Sequence, residues 1–105
     1  MLAMNTPPIV DVIIPAFNEE KSIAKVIGDI PALVRHVVVA NNNSTDRTAE
    51  VAAAAGAQVV FEAQKGYGKA CLTAMDWIKK QEVQPDILVF LDGDYSDYPQ
   101  ELELL

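Results

Sequence analysis

The sequence predicts an α/β domain: a mostly parallel sheet with helices on both faces, Rossmann-like, in the order β-α-β-α-β-α-β-α. Three observations carry this. Short β-branched runs at 9–14, 36–40, 58–61 and 86–91 alternate with longer segments of helical spacing, the pattern of repeated βαβ units. The runs are apolar nearly throughout instead of alternating, as strands covered on both faces are. The polar clusters follow the strands, with Asn18-Glu19-Glu20 after the first, Asn41-Asn42-Asn43-Ser44-Thr45-Asp46 after the second and Asp92-Gly93-Asp94 after the fourth. In open parallel sheets that is the end where ligands bind.

Residues 1–8 read as a flexible lead-in and 9–105 as one domain, since 105 residues, half of them apolar, bury a single core. The first helix is expected from Asn18, a good N-cap with Glu19 and Glu20 in the positive first turn. It buries Ile23, Val26, Ile27 and Ile30 and is ended by Pro31. The second is expected from Ser44 or Thr45, with Asp46 in its first turn. It runs through the Ala-rich 51–55 and stops at Gly56. The third begins near 67–69 and turns Leu72, Met75 and Ile78 inward before Gln84-Pro85 restores an extended chain. A fourth is expected after Asp97, where Gln100 has capping-box spacing and Pro99 suits a first turn.

Composition excludes several function classes. A formal charge of −7 argues against nucleic acid or anionic lipid bound through a basic face. The single cysteine, Cys71, closes no intrachain disulfide and asks for no oxidising compartment, so a cytoplasmic setting is expected. No apolar run approaches the roughly 20 residues of a membrane helix, and residues 1–8 lack the pattern of a signal peptide.

Three ordered motifs, Ile13-Ile14-Pro15-Ala16-Phe17-Asn18-Glu19, Asn43-Ser44-Thr45-Asp46-Arg47-Thr48 and Asp92-Gly93-Asp94, resemble those of family 2 glycosyltransferases. The resemblance covers about residues 9–105 and the front half of that family's usual catalytic domain. It implies an A-type fold, inverting sugar transfer and a nucleoside diphosphate sugar donor, UDP- or GDP-linked. By the same resemblance Pro15, Ala16, Phe17 and Glu19 line the base and ribose pocket. Asn41 lies below the base, Asp92 near the ribose and Asp94 on the metal. Residues 92–101 are similar to the corresponding stretch of polyprenyl-phosphate sugar transferases, which makes a lipid phosphate at the cytosolic face of a membrane the first acceptor candidate. The family's acceptor pocket and base lie further along the chain, so no catalytic base is assigned.

The chemistry of the residues agrees with that assignment. A divalent cation bridging two phosphates neutralises a departing diphosphate, and Mg²⁺ or Mn²⁺ prefers carboxylate oxygens such as those of Asp92 and Asp94. Gly93 lets the backbone approach closely. An Asp-x-Asp triplet alone is common, and its plainer reading is a solvated strand end with a helix cap. Asp92, Asp94, Ser96 and Glu103 also have the spacing of a calcium loop. The preceding 88–91 reads as strand, however, and Asp97 stands where that loop needs glycine. Gly66-Tyr67-Gly68-Lys69 sets flexible backbone, a helix start and a cation together as a diphosphate clamp, and the resemblance, through a similar Gly-Lys segment in related transferases, implies Lys69 ahead of Lys65. The plainer reading is a glycine turn with solvated lysines. Asn41 and Asn42 stand where the family usually has aspartates, which leaves the identity of the base open. His36, Cys71 and Trp77 read as packing residues.

Other readings use the same residues. A binding module without turnover fits a chain that lacks the acceptor half. A sugar nucleotidyltransferase would open with a Gly-rich, Arg-containing loop at 15–19. A phospho-receiver domain needs an aspartate after strand three, where Phe61-Glu62-Ala63 stands. A half domain leaves apolar area without its usual cover, so a homo-oligomer of the isolated chain is expected.

Overall fold

The structure is a computed structural model that describes residues 7–94. The expected fourth helix after Asp97 and most of the expected lead-in lie outside the described residues. Four strands, β1 (Val10–Ala16), β2 (Val34–Asn41), β3 (Gln58–Phe61) and β4 (Ile87–Phe90), alternate with three helices, α1 (Ile23–Gly28), α2 (Thr48–Ala54) and α3 (Tyr67–Lys79). All strand pairings are parallel and the spatial order is β3-β2-β1-β4. Strand β1 pairs on both edges, Ile13 lying beside Val38 on one side and Phe90 on the other.

The unbroken apolar character of β1 follows from two cores. Val12, Ile14 and Ala16 point to one face, where Ile23, Val26 and Ile27 of α1 and Ala52 of α2 cover them. Ile13 points to the other face and joins Val38, Ala40 and the α3 residues Ala70, Ala74 and Ile78. Alternate side chains of one strand thus serve different layers, and each must be apolar. Asp11 is the exception, with no exposure at all. Its carboxylate accepts from Arg35 Nε at 3.1 Å and Nη2 at 2.7 Å and from the His36 backbone N–H at 3.1 Å. That fork ties β1 to β2 at the end of the sheet opposite the polar loops, and a buried charge held this way has its hydrogen bonds satisfied.

The parallel α/β architecture agrees with the sequence expectation, and three details differ. Helix α1 starts at Ile23, with Ser22 as N-cap, and not at Asn18. Asn18 has φ 53°, which no helix admits, and its side chain caps a different loop. Helix α2 starts at Thr48, after residues 44–46 have been spent on contacts with that same neighbouring loop. Ala70, Cys71, Ala74 and Ile78 form the buried stripe of α3 with Met75 packed at its margin, so Ile78 and Met75 face inward as expected and Leu72, 56% exposed, does not. The stop at Gly56 agrees, its φ of 102° being the left-handed geometry that ends a helix.

Ile14→Ala should therefore lower stability by about 2–5 kcal/mol through loss of buried area and a residual cavity. Leu72→Ala should change it by no more than about 0.5 kcal/mol. Urea denaturation of both variants checks the assignment of α3's inner face as well as the core.

Candidate functional site

Strands β2 and β3 extend from one edge of β1 and β4 from the other. The loop after β1 leads to α1 on one face of the sheet and the loop after β3 leads to α3 on the other, and a crevice opens at the carboxyl ends of β1 and β4. It encloses about 300 Å³ and is lined by Pro15, Ala16, Phe17, Glu19, Asn42, Tyr67, Asp92, Gly93 and Asp94. Seven residues singled out in the sequence, Pro15, Ala16, Phe17, Glu19, Asp92, Gly93 and Asp94, thus come together from two ends of the chain.

Asn41 and Lys69 are not on that lining. Asn41 is buried one residue back, where its Oδ1 accepts from the Ser44 N–H at 3.2 Å. Lys69 is exposed on the first turn of α3. Its charge helps hold the Glu62 carboxyl below the usual range, after the Thr73 hydroxyl and the Gln64 N–H, with burial opposing. Lys65 instead sits against the crevice rim, its Nζ 5.2 Å from the centre of the Phe17 ring.

Two lining residues had no place in the sequence-predicted site. Asn42 donates to the carbonyls of Glu62 (3.0 Å) and Gln64 (2.7 Å) and accepts from the Gly66 N–H (3.0 Å). It therefore fixes the β3–α3 loop against the end of β2. Tyr67 opens α3 and is 58% exposed. The available signal was an aromatic residue between two glycines at a carboxyl strand end, read only as part of a clamp.

Local geometry explains the motif residues. Asn18 Oδ1 accepts from the N–H of Thr45 (2.8 Å) and of Asp46 (3.3 Å), while its own N–H donates to Ser44 Oγ (2.9 Å). The Glu19 N–H donates to Thr48 Oγ1 (2.8 Å) and the Glu20 N–H to Asp46 Oδ2 (3.2 Å). Arg47 N–H returns a bond to Glu20 Oε1 (2.9 Å). Asp46 also accepts from the Thr48 N–H at 2.9 Å and from its hydroxyl. The Asn43 to Thr48 motif thus clasps the loop after β1 and holds Glu19 at the crevice.

Gly93 supplies the floor. A Cβ there would meet Glu19 Cγ at 3.2 Å, Ile23 Cδ1 at 3.4 Å and Ala16 Cβ at 3.5 Å, so any side chain would press Glu19 aside. Ser22 Oγ donates to the Gly93 carbonyl at 2.5 Å, pinning the turn after β4 onto the start of α1.

The electrostatics are one-sided. Burial raises the Glu19 carboxyl above its ordinary value, and the charges of Asp94, Asp46 and Asp92 raise it further. At Asp46 burial pulls upward too, but the hydrogen bonds from the Thr48 side chain, Thr48 backbone and Glu20 backbone outweigh it and leave the carboxyl low. Carboxylates that converge on one crevice, and there raise Glu19, are an arrangement a bound cation relieves. Among the described residues no three His, Cys, Asp or Glu side chains form a cage for one. Any metal there would draw further oxygens from a ligand, which is how Mg²⁺ is held by one or two carboxylates together with substrate phosphates.

Comparison with known proteins supplies the context. The sequence model of glycosyl transferase family 2 matches residues 11–105. An uncharacterized glycosyltransferase of Mycobacterium bovis is 56% identical over 61 residues, covering 58% of this chain and 28% of that protein. A dolichyl-phosphate hexose transferase of Haloferax volcanii is 36% identical over 93 residues, covering 86% of this chain and 38% of that protein. The crystal structure of glucosyl-3-phosphoglycerate synthase from Mycobacterium tuberculosis with Mn²⁺, UDP-glucose and phosphoglyceric acid superposes with a TM-score of 0.78 at 30% identity. It covers 98% of this chain and 39% of that one. The chain thus spans less than two fifths of the length of each of these three relatives.

The raised Glu19 carboxyl gives a signed pH dependence. Below its ordinary value of 4.5 the group is neutral in both folded and unfolded chains, and no penalty arises. As pH rises from there through the higher folded value, stability is lost. Glu19→Gln should raise the thermal midpoint at pH 7, and the gain should close as pH falls toward 4. The low Asp46 carboxyl loses stability only at still lower pH and does so in both proteins, so it cancels from the difference. Thermal unfolding followed by circular dichroism at several pH values checks this; a gain independent of pH would contradict the electrostatic cause.

Proposed function

The chain belongs to glycosyl transferase family 2, and from that premise we propose that its crevice is the nucleoside diphosphate sugar site of an inverting glycosyltransferase. The observation that carries the reading is the convergence of Phe17, Glu19, Asp92 and Asp94 on one cavity at the point where the strand order reverses. Residues 9–105 are then the donor-binding part of a longer catalytic domain. This is in keeping with the share of its relatives that the chain spans.

In this reading Pro15, Ala16 and Phe17 line the nucleobase pocket, with Asn41 supporting the loop beneath it. Glu19 and Asp92 accept hydrogen bonds from the ribose hydroxyls. Gly93 admits the donor backbone-close, and Asp94 faces the diphosphate. Lys69, on the first turn of α3, is the candidate cation for the outer diphosphate oxygens. Asp94, with Asp92 beside it, fits Mg²⁺ or Mn²⁺: the donors are hard oxygens, they repel one another and Glu19, and they leave coordination positions for phosphate. When bound, such an ion neutralises charge on the departing nucleoside diphosphate. The chain's own residues orient the donor and hold its leaving group in line for attack from the open side of the crevice.

A polyprenyl phosphate is the proposed acceptor, attacking as an oxyanion without a general base. The similarity of residues 92–101 to polyprenyl-phosphate transferases and the dolichyl-phosphate hexose transferase relative support it. Among the described residues no helix is long and apolar enough to cross a membrane; the cytosolic membrane face is the proposed place of transfer. The alternative reading is a domain that binds the donor and does not turn it over.

Titration calorimetry of UDP, GDP, UDP-glucose and GDP-mannose with Mn²⁺ or Mg²⁺ should show binding that chelator abolishes. Asp94→Ala should weaken it by at least the ~10–100-fold that loss of a supporting residue costs at metal sites. Binding of none of the four would sink the donor-site reading. Sugar release or transfer to a polyprenyl phosphate separates enzyme from binding domain.

A further inference from the structure

Resting on the donor-site reading, we propose that Tyr67 is a donor-positioning residue whose ring forms the second aromatic wall of the crevice and packs against the nucleoside. Phe17 and Tyr67 are both large, both exposed (43% and 58%) and both on the lining of the same cavity. The other strongly exposed apolar side chains, such as Leu33 and Val83, lie elsewhere. Phe17 comes from the loop after β1 and Tyr67 from the first residue of α3, so two separate layers of the fold each bring one ring to the cavity.

The phenol is held for this use. It stands at the first position of α3, one turn before the buried Cys71. Behind it, the Gly66 N–H is fixed by Asn42 Oδ1 at 3.0 Å, and the Gly66 carbonyl accepts from the Ala70 N–H at 3.0 Å. On the crevice lining and 58% exposed, the side chain offers a ligand the face of its ring. A ring face recognises a planar heterocycle and adds no negative charge to a cavity that already carries Glu19, Asp92 and Asp94. Lys65, two residues earlier, lies over Phe17, so the segment that carries Tyr67 already reaches across to the other wall.

The test is calorimetric titration of UDP and of GDP at saturating Mn²⁺ into wild type, Tyr67→Phe and Tyr67→Ala, with thermal melts to confirm folding. Tyr67→Phe should bind within about 2-fold of wild type, and Tyr67→Ala about 10-fold more weakly, the scale of one lost base–aromatic stack. The Mn²⁺ concentration for half-maximal binding should be unchanged in both, which a general distortion of the site would not preserve. A Tyr67→Phe loss as large as that of Tyr67→Ala would overturn the inference in favour of the hydroxyl, and so would a Tyr67→Ala affinity equal to wild type. Failure of wild type itself to bind either nucleotide would overturn the donor-site reading and this inference with it.

Discussion

Asn18 holds a backbone conformation, φ 53°, that an asparagine adopts only with local support, and its side chain supplies that support by accepting from the next loop. The clasp runs both ways: Ser44, Asp46 and Thr48 accept from the backbone of residues 18–20, and Glu20 accepts from Arg47. Two loops that would each be mobile at the end of a parallel sheet thereby become one rigid rim. Glu19 reaches the crevice because its N–H is held by Thr48, and Gly93 lies under it because Ser22, just past the clasp, holds the Gly93 carbonyl. Loosening either loop would move the floor and the wall of the site together.

The sheet divides its polar work between its two ends. At the amino end Asp11, wholly buried, is forked by Arg35 and sealed by the His36 N–H, a self-contained pair with no group left over. At the carboxyl end Glu19 is raised by burial and, beyond that, by the charges of Asp94, Asp46 and Asp92, with Glu19, Asp92 and Asp94 on the lining of the crevice. The loop after β1 leads to α1 on one face and the loop after β3 to α3 on the other, which leaves room at the carboxyl end.

Much of this was legible in the sequence because it depends on local apolar pattern and on strand ends. The four strands followed from β-branched runs, and Pro15 to Glu19 and Asp92 to Asp94 stood together because parallel strands deliver their following loops to the same side. What was not legible depends on partners far along the chain. Asn18 looks like a helix cap and Asp46 like a first-turn residue, and they spend oxygens on each other's loops instead, which delays α1 and α2 by several residues. Leu72 fits a helical stripe, but α3 lies so close to β1 and β2 that small residues, Ala70 and Ala74, occupy the contact and Leu72 is turned out. Asn42 and Tyr67 reach the crevice through the β3–α3 loop, whose course is set by three hydrogen bonds to Asn42 that no spacing rule encodes.

The composition of the crevice bears on selectivity. A cation alone would find few protein ligands, since no three-residue cluster is present among the described residues. A nucleoside alone could use the aromatic walls, yet would leave Glu19 beside the like charges of Asp92 and Asp94. A free diphosphate would meet those same carboxylates as a like charge. On the proposed reading only the combination, a nucleoside diphosphate with its divalent ion, meets each demand at once: rings for the base, oxygens for the metal, metal for the phosphates. Discrimination of this sort arises because each part of the ligand is insufficient without the others, and it needs no tight fit to any one of them.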